Sequence, residues 1–562
     1  MKAFTVGDYL AERLAQIGIR HHFLVPGDYN LVLLDRLEAH PSLSGIGCTN
    51  ELNCSFAAEG YARAQGASVC VVTYSVGAFS AFNGIGSAFA EGLPVIFVSG
   101  APNTNDSGSH RLHHSLGGRD FGYQLEMARQ ITCCTLAIRR PRDAPTLIDR
   151  AIRTALTEKK PAYIEIPTNL SGEICVRPGP SGELLAPLAS DGEALAAAVS
   201  SVSDYLMLKQ KPILLVGPKV RQADAQAELV RLADAIGCAV VLQPAAKGLF
   251  PEHHFQFAGI FWGQVSTLAA DCIVNWADVI LCIGTVFTDY STVGWTALPS
   301  VPQVIADFDA VTDETHHFGG VALKEFLSKL AEVVCWNDTT MAEYMRIRIE
   351  PPAPRALAVH ERLTRREVCR CIQRLLTSES TLFVDTGDSW FNGMHLRLPD
   401  RAQFEIEMQW GHIGWTIPAS FGYAIGNQER KIIVMVGDGA FQVTVQEVAQ
   451  MVRHRLPIII LLMNNKGYTI EVEIHDGPYN RIQNWRYAHL VEAFNGAEDG
   501  PRALGLEAHT AGQLSEAISK ALSHTEGPAL IECSIHRDDC SKDLITWGHF
   551  VASSNARPQV IQ

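Results

Sequence analysis

The sequence predicts an α/β protein with three doubly wound parallel-sheet domains. Short apolar runs that do not alternate with polar residues, such as KPILLVGPK and LPIIILLMNN, mostly end at Gly, Pro, Asn or Asp and precede helical patterns. Strands of this kind belong to parallel sheets that helices cover on both faces. Segments rich in Pro, Gly and small residues, near 176–192 and 350–360, are typical of linkers. They divide the chain into predicted domains at 1–186, 190–348 and 356–562.

The composition of the chain excludes some classes of function and partner. With 562 residues, 47% of them hydrophobic and 19% charged, the chain suits several globular domains. A formal charge of −14 argues against a nucleic-acid or anionic-membrane partner. No apolar run reaches the length of a membrane span, and the N-terminus begins an amphipathic pattern without a signal-peptide core, so we expect a cytoplasmic protein. The 14 scattered cysteines lack paired C-x-x-C spacing and are expected to be reduced.

The first and last thirds of the chain share short motifs in the same order. A single match between two α/β segments arises by chance, but several matches in order at a nearly constant offset indicate duplicated domains on either side of an unrelated middle one. The matched segments are Gly60–Ala62 with Gly422–Ala424, Gly77–Phe79 with Gly439–Phe441, Leu93–Pro94 with Leu456–Pro457, and KPAYIEI with GPALIEC.

The same match sets Gly437-Asp438-Gly439 of the last third opposite Ser75-Val76-Gly77 of the first. The turn is therefore predicted to belong to the shared architecture, whereas the carboxylate of Asp438 is particular to the last domain. We expect Gly437 and Gly439 to permit positive φ and to let a ligand approach the backbone. The following residues, AFQVTVQEVAQMVR, predict a helix whose free N–H groups and positive dipole end face a diphosphate.

Asp438 is a candidate ligand of a hard cation. A diphosphate carries more negative charge than a few N–H groups offset, so we expect a cation between phosphate and protein. Magnesium takes few protein ligands, all of them oxygen. The end of the next strand offers the Asn465 side chain and the Gly467 carbonyl. The sequence therefore predicts a magnesium site formed by Asp438, Asn465 and Gly467.

The pattern GDGAF…LLMNNKGY resembles the motif of the thiamine-diphosphate-dependent enzymes. Segments along the whole chain, among them PGDYN, LHHSLG and EMQWGHIGW, are similar to the 2-oxo acid decarboxylases of that family, and in particular to pyruvate decarboxylases of the bacterial type. The resemblance implies a pyrimidine-binding N-terminal domain, a middle domain that need not bind a cofactor, and a diphosphate-binding C-terminal domain. It also implies thiamine diphosphate and Mg²⁺ as cofactors, and pyruvate as a substrate that yields acetaldehyde and carbon dioxide.

The resemblance implies how the cofactor is held. Glu51 matches the glutamate that protonates the pyrimidine ring, the Gly411 carbonyl accepts from the pyrimidine amino group, and Ile413 wedges the cofactor into a bent shape. Taken alone, Glu51 would be a helix-start charge on a solvated face and Ile413 a core residue. The implied cofactor-binding residues are Glu51, Thr386, Asp388, Gly411, Ile413, Asp438, Gly439, Ala440, Asn465, Gly467 and Tyr468.

A second implied set exchanges protons with the substrate: Asp28, His113, His114 and Glu471. We expect the two adjacent histidines to point in different directions, which argues against a metal held by the pair; taken alone they would be surface residues. Glu473 stands where this type of decarboxylase usually has an apolar residue. The family pattern favours Glu471 as the glutamate that faces the substrate.

Large side chains are implied around the reacting centre, which favours a small 2-oxo acid, pyruvate first. A broader decarboxylase that acts on phenylpyruvate or indolepyruvate is the alternative. Lys466 stands where an aromatic residue is common and is expected to alter the packing near the metal loop without removing the Gly467 carbonyl. The substrate-pocket residues are Thr73, Tyr290, Trp390, Ile470, Ile474 and Trp547.

Other classes of protein fit less well. A nicotinamide dehydrogenase would need G-x-G-x-x-G after an early strand, and neither LLVGPKV nor LCIGTVF supplies it. An acetolactate synthase would share the cofactor motif but is expected to lack the adjacent histidines. A non-catalytic relative would have no need of Glu51 together with Asp438 and Asn465.

The duplication also predicts an oligomer. Glu51 and Asp438 lie in different duplicated domains, and equivalent strand ends of related sheets pair most simply across a two-fold axis between subunits. We therefore expect a homodimer as the minimal active unit, and the resemblance implies a homotetramer.

Overall fold

The computed structural model describes residues 3–350, 355–496 and 502–559. It contains three sheets with helices packed on them, and each sheet lies within one of the predicted domain ranges. The domain boundaries themselves stay a prediction, and residues 351–354 of the second predicted linker lie outside the described residues.

The first domain is built on a parallel sheet. Its strands are β1 (His21–Leu24), β2 (Ser44–Gly47), β3 (Ser68–Val72), β4 (Val95–Ala101), β5 (Cys134–Ala137) and β6 (Ala162–Pro167). Its helices are α1 (Val6–Gln16), α2 (Leu31–Glu38), α3 (Glu51–Gln65), α4 (Val76–Ala90), α5 (Tyr123–Ala128), α6 (Ala144–Glu158) and α7 (Gly182–Leu185). The strand order is β2-β1-β3-β4-β6-β5, and neighbouring strands are parallel.

The middle domain has a mixed sheet. Its strands are β7 (Pro212–Val216), β8 (Ala239–Leu242), β9 (Phe257–Ile260), β10 (Val279–Ile283), β11 (Gln303–Ala306), β12 (Ala310–Thr312) and β13 (His317–Gly319). Its helices are α8 (Gly192–Met207), α9 (Lys219–Gln222), α10 (Gln226–Ile236), α11 (Ala270–Trp276), α12 (Leu323–Ala331) and α13 (Thr339–Ile347). The predicted parallel strands are present, and β12 and β13 add an antiparallel edge.

The last domain is again built on a parallel sheet. Its strands are β14 (Ser380–Val384), β15 (Gln403–Ile406), β16 (Lys431–Gly437), β17 (Ile459–Asn464), β18 (Leu504–Ala508) and β19 (Ala529–Ser534). Its helices are α14 (Arg365–Leu375), α15 (Asp388–His395), α16 (Thr416–Gly426), α17 (Asp438–Thr444), α18 (Val448–Arg453), α19 (Thr469–Ile474), α20 (Tyr487–Glu492), α21 (Ala511–Ser523) and α22 (Lys542–Asn555). The strand order, β15-β14-β16-β17-β19-β18, repeats that of the first sheet position by position. This shared topology confirms the duplication.

The turn after β16 differs from the prediction. The strand runs directly into α17, so Gly437 has a φ of −78° and Gly439 lies in the helix, and neither adopts positive φ. The glycine at 439 instead provides room, because a Cβ there would lie 2.5 Å from the Tyr468 ring. The helix predicted after the turn is also interrupted, by a 3₁₀ turn at Val445–Glu447.

The duplicated domains pack against each other through equivalent helices, α3 and α16. A Cβ on Gly60 would lie 1.9 Å from the Ala419 carbonyl oxygen, and one on Gly422 would lie 1.8 Å from the Ala57 carbonyl oxygen. Each glycine therefore lets the backbone of the other helix approach closely, because it has no side chain. Because Gly60 and Gly422 are matched residues of the duplication, the contact is reciprocal.

Every cysteine of the sequence lies in the described residues and is a free thiol, as predicted. Among the described residues, none of the helices combines the length and the apolar character that crossing a membrane would require.

Candidate active site

The carboxyl ends of β14, β16 and β17 open onto one narrow cavity, which is the edge where ligands bind in open α/β sheets. Every described residue that lines the cavity belongs to the last domain. The predicted cofactor residues among them are Thr386, Asp388, Ile413, Asp438, Gly439, Ala440, Asn465, Gly467 and Tyr468, and Ile470 of the predicted substrate pocket lines it too.

The three oxygens predicted to bind magnesium converge at this cavity. One end of the Asn465 amide contacts the Thr469 hydroxyl, and the other end lies 3.0 Å from the Gly467 carbonyl oxygen and 3.1 Å from Asp438 Oδ1. With nitrogen at that end, the amide donates to both oxygens; with oxygen there, three acceptors face one another and need a cation between them. This all-oxygen set fits Mg²⁺.

Asp438 is almost fully buried, and burial raises its pKa to about 6. The peptide N–H groups of Gly439 and Lys466 donate to its carboxylate over 2.9 and 2.6 Å. A cation beside the carboxylate would favour its charged form. Lys466 makes its contact through the backbone, at a φ of 69°, and its side chain is exposed. The unusual residue at 466 therefore leaves the Asp438 contact and the Gly467 carbonyl in place.

The rest of the cavity fits a diphosphate. The buried hydroxyl of Thr386 lines it and has no hydrogen-bond partner among the described residues. The first residues of α15 and of α17 line it as well, and helix starts offer unpaired N–H groups to anions. The Asp388 carboxylate is committed elsewhere, since it accepts from the Ser541 backbone (3.1 Å) and from Asn392 Nδ2 (2.8 Å). Asp388 is therefore expected to contact the cofactor through its backbone and not through its carboxylate.

Residues 407–414 connect β15 to α16 and carry Gly411 and Ile413. Gly411 has a φ of 71° and Gly414 a φ of 84°, in the left-handed region that favours glycine. Buried Asp385 holds the end of this loop, because its Oδ1 accepts from the Gly414 N–H over 2.9 Å. Burial raises the pKa of Asp385 to about 6. Ile413 lines the cavity, whereas Gly411 lies beside the Trp390 ring.

Three residues of the predicted substrate pocket, Tyr290, Trp390 and Trp547, pack together as an aromatic wall in the core and do not line the cavity. The Tyr290 ring lies 4.7 Å from that of Trp547 and 6.3 Å from that of Trp390, measured between centroids. Both tryptophans are fully buried, and the indole N–H of Trp547 donates to the Tyr290 carbonyl over 3.0 Å. Ile474 packs partly buried against the same core. The middle domain therefore contributes to the wall through Tyr290.

Asp28, His113 and His114 form a separate cluster in the first domain. The Nε2 atoms of His113 and His114 lie 2.5 and 3.6 Å from the Asp28 carboxylate. The expectation that the histidines point in different directions is wrong. His114 has a φ of 56°, in the left-handed region. With this backbone conformation both imidazole rings lie on the side of Asp28, 4.6 Å apart between centroids. The Asp28 and His113 side chains are 48% and 62% exposed, so the cluster lies open to solvent in a single chain.

Glu51 and Thr73 lie together in the first domain and do not line the cavity. Glu51 begins α3, whose start is capped by the Asn50 side chain. A Cβ on Gly77 would lie 3.1 Å from Glu51 Oε1 and 3.2 Å from Thr73 Cγ2. Apart from Tyr290 of the middle domain, the predicted site residues therefore fall into two sets, one in each duplicated domain.

Glu471 and Glu473 lie on opposite faces of α19, because residues two positions apart in a helix are separated by about 200° around its axis. Glu473 faces α22 at Gly548, and its carboxylate accepts a 3.8 Å contact from the Cys540 thiol just before that helix. Glu471 is close enough to Tyr290 to help raise the pKa of that phenol, after the larger effect of burial. Glu471 is thus on the side of the aromatic wall.

Two buried carboxyl groups that support the 407–414 loop, Asp385 and Glu407, were missed in the sequence. Asp385 directly precedes Thr386 at the end of β14, where a strand-end carboxylate signals a site. Glu405 and Glu407 stand on either side of Ile406 in FEIEMQW, and acids at the end of a short buried strand are a signal of a polar network.

Comparison with known proteins agrees with this geometry. The chain matches the thiamine pyrophosphate enzymes, thiamine pyrophosphate being another name for thiamine diphosphate. Residues 4–121 match the N-terminal TPP binding domain, 199–323 the central domain and 385–533 the C-terminal TPP binding domain.

Relatives align with this chain along nearly its full length. A pyruvate decarboxylase of Neurospora crassa is 63% identical, with 99% of this chain and 97% of the relative aligned. A probable pyruvate decarboxylase of Schizosaccharomyces pombe is 56% identical over the same shares, and pyruvate decarboxylase 3 of Arabidopsis thaliana is 42% identical over 99% and 95%. These relatives come from two fungi and a plant, so the bacterial affinity stays a prediction. The chain belongs to the thiamine pyrophosphate enzymes and, within them, to the pyruvate decarboxylase family.

Proposed function

We propose that the protein decarboxylates pyruvate without oxidation, giving acetaldehyde and carbon dioxide, with thiamine diphosphate and Mg²⁺ as cofactors. The observation that carries this proposal is the convergence of oxygens from Asp438, Asn465 and Gly467 at the sheet edge of a chain whose relatives are named pyruvate decarboxylases. When bound, the cofactor supplies the nucleophilic carbon and the electron sink that loss of carbon dioxide requires.

The last domain holds the charged end of the cofactor. Asp438, Asn465 and Gly467 bind the cation, and the Thr386 hydroxyl donates to the diphosphate together with N–H groups at the starts of α15 and α17. The 407–414 loop holds the organic part, with the Gly411 carbonyl as an acceptor and Ile413 as a wedge.

The first domain supplies the groups that hold and move protons. Glu51 keeps a proton at the pyrimidine ring of the cofactor. Asp28 shares a proton with His113 across 2.5 Å, and this pair with His114 delivers protons to the substrate oxygen. Glu471, from the last domain, lies on the side of the aromatic wall and is the acid–base group there.

The wall sets the size of the substrate. Trp390 and Trp547 are fully buried, Tyr290 packs edge-on against Trp547, and Ile470 closes the cavity from α19. We expect a methyl group to fit beside this wall and an indole or phenyl ring to clash with it. Pyruvate is therefore favoured over the alternative substrates, phenylpyruvate and indolepyruvate.

The active unit is a homodimer, and two dimers form a tetramer in the cytoplasm. The support is the separation of the two groups of site residues. The Asp28–His113 pair of the first domain is exposed in one chain, and the cavity is lined by the last domain alone among the described residues. A partner subunit brings an Asp28–His113 cluster and a Glu51 to each cavity.

The test is an assay of the purified protein with thiamine diphosphate, Mg²⁺ and each of several 2-oxo acids, in which carbon dioxide and aldehyde are measured. We expect pyruvate to react fastest at equal subsaturating concentrations, and chelation of the metal to stop the reaction. Trp390→Ala should raise the rate with indolepyruvate relative to pyruvate. Faster turnover of indolepyruvate by the unaltered protein would contradict the pocket assignment.

A further inference from the structure

A buried group of charged side chains lies where the three domains meet, beside the 407–414 loop. Arg63 of α3 is at its centre, and its side chain has no exposed surface. The guanidinium donates to Glu59 over 2.9 Å, to Glu405 over 3.1 Å and to Glu91 over 3.3 Å. The group therefore joins the first and last domains through ion pairs shielded from water.

Acidic groups outnumber basic ones in this cluster. Arg221 of the middle domain adds a second guanidinium, 3.2 Å from Glu405, and Glu407 adds a further carboxyl group. If Glu59, Glu91, Glu405 and Glu407 were all ionised, the described part of the cluster would hold a surplus of negative charge in a site with little water. Such a surplus is costly, and the usual outcome is that one carboxyl group keeps its proton.

Hydrogen-bond geometry shows where that proton belongs. Ser87 Oγ lies 2.7 Å from Glu59 Oε2 and 2.8 Å from Glu407 Oε1. A hydroxyl carries one proton, so Ser87 can donate to only one of these oxygens. The other contact needs a proton from the carboxyl group itself. Burial raises the pKa of Glu59 as well, but the ion pair with Arg63 favours its charged form, and Glu407 has no such partner in the described cluster, so the proton lies on Glu407.

The electrostatics agree with this assignment. Burial raises the pKa of Glu407 well above its usual range, and the nearby charges of Glu59 and Glu91 raise it further. The groups facing Glu407 also include Ser87 of α4 and the His412 backbone, both of which favour the charged form but less strongly. A neutral Glu407 offers one hydrogen-bond donor, at Oε1, and one acceptor, at Oε2.

The acceptor side of Glu407 reaches the loop that carries the cofactor contacts. Glu407 Oε2 accepts from the His412 N–H over 2.7 Å. On the other side of the loop, Glu91 accepts from the Met408 and Gln409 N–H groups over 3.1 and 2.9 Å. Gly411 lies between these anchors, so its position depends on both carboxyl groups.

We propose that Glu407 is a neutral carboxylic acid and a positioning residue: it donates to Ser87, accepts from His412, and thereby fixes Gly411 and Ile413 against the cofactor. The proton stays on Glu407 and is not transferred. This inference rests on the proposed function, from which it takes the roles of Gly411 and Ile413.

The decisive variant is Glu407→Gln, because a neutral amide offers the same donor and acceptor as a neutral acid. We expect it to bind thiamine diphosphate with Mg²⁺ within about twofold of the unaltered protein by calorimetry. Glu407→Ala, which lacks both hydrogen bonds, should weaken binding about tenfold or more. Glu59→Gln is the matched control at an ionised carboxylate, and it should weaken binding and lower Tm.

A second measurement needs no cofactor. In infrared difference spectra at neutral pH, Glu407→Gln should remove one protonated-carboxyl carbonyl band and leave the carboxylate bands unchanged. Loss of a carboxylate band instead would overturn the proposal, as would equally weak binding by the Gln and Ala variants or full binding by Glu407→Ala. Failure of the unaltered protein to bind thiamine diphosphate would contradict the proposed function and not the protonation state, which the spectra report separately.

Discussion

The third strands of the first and last sheets end in turns that the duplication makes equivalent, yet they present different chemistry. After β16, the Asp438 carboxylate is buried and lies beside the Asn465 amide and near the Gly467 carbonyl. After β3, Val76 stands at the matching position and its side chain is 53% exposed. A carboxylate is thus present at only one of these two turns.

The neighbouring strand differs in the same way. Extending the match of Leu93-Pro94 with Leu456-Pro457 sets Pro102 opposite Asn465. The Ser75 hydroxyl, beside the first turn, is already paired with the Tyr123 hydroxyl over 2.7 Å. The first domain therefore has the same framework without the ligands proposed to bind the metal, and it carries instead Glu51 and Thr73 beside the turn. The two sheets therefore share an equivalent edge and carry different side chains on it.

The largest expected effect comes from removing the carboxylate that distinguishes the two turns. Asp438→Ala should weaken binding of Mg²⁺ with thiamine diphosphate more than about a hundredfold, because it removes one of few protein ligands. Calorimetry measures the affinity, and circular dichroism checks the fold. The matched control is Val76→Ala in the other turn, with unchanged Mg²⁺ affinity. Normal affinity in a folded Asp438→Ala protein would rule out this metal site.

The second prediction tests whether the two edges meet between subunits. Glu51→Gln and Asp438→Ala are each expected to be inactive, but a mixed dimer holds one site in which both residues are intact. Random pairing should therefore restore about a quarter of the decarboxylase activity. The control pairs Glu51→Gln with a chain that carries both substitutions, which leaves no intact site. Verified mixed dimers without activity would place the site within one chain.

The third prediction concerns the reciprocal helix crossing. Gly60→Ala and Gly422→Ala should each lower the free energy of unfolding by about 3 kcal/mol, because the new Cβ meets a backbone carbonyl that cannot move aside. Thermal or denaturant unfolding measures the change. Gly192→Ala is the control, since a Cβ there has open space, and it should change stability by less than about 0.5 kcal/mol. Unequal effects at the two crossing glycines would show that the contact is not symmetric in energy.

The smallest expected effect is at Lys466. Lys466→Ala keeps the backbone N–H that donates to Asp438 and removes only an exposed side chain, so cofactor affinity should change less than about twofold. Calorimetry with thiamine diphosphate and Mg²⁺ checks this. A tenfold loss would mean that the Lys466 ammonium group itself contacts the diphosphate.

Much of the fold was predictable because the parallel strands are continuous apolar runs. Parallel neighbours also end at a common edge, which is why Asp438 and Asn465 could be predicted to lie together; their role as metal ligands stays a prediction. The short edge strands β12 and β13 were missed because segments of this length carry too little periodicity. The conformation of Gly437 was wrongly predicted because glycine marks either a positive φ or a need for space.

The polar network could not be predicted from the sequence. Glu59, Ser87 and Glu407 come from three distant segments, and each alone resembles an ordinary helix or strand residue. The direction of the His113 and His114 rings could not be predicted either. The left-handed backbone conformation of His114 changes the side on which its ring lies.

The crossing of α3 and α16 also constrains how the chain acquires its structure during synthesis. Helix α3 carries Glu51 at its start, but the surface around Gly60 is covered only when Ala419 has been made, more than 350 residues later. At about 5–20 residues per second, the ribosome takes roughly 20–70 seconds to cover that interval. Throughout that time α3 lacks the contacts that the last domain provides, among them the edge-on packing of the Phe56 ring against His412, 5.0 Å between centroids. The first domain expressed alone should therefore aggregate or recruit chaperones, and the same crossing that unites the duplicated halves makes them poor independent folding units.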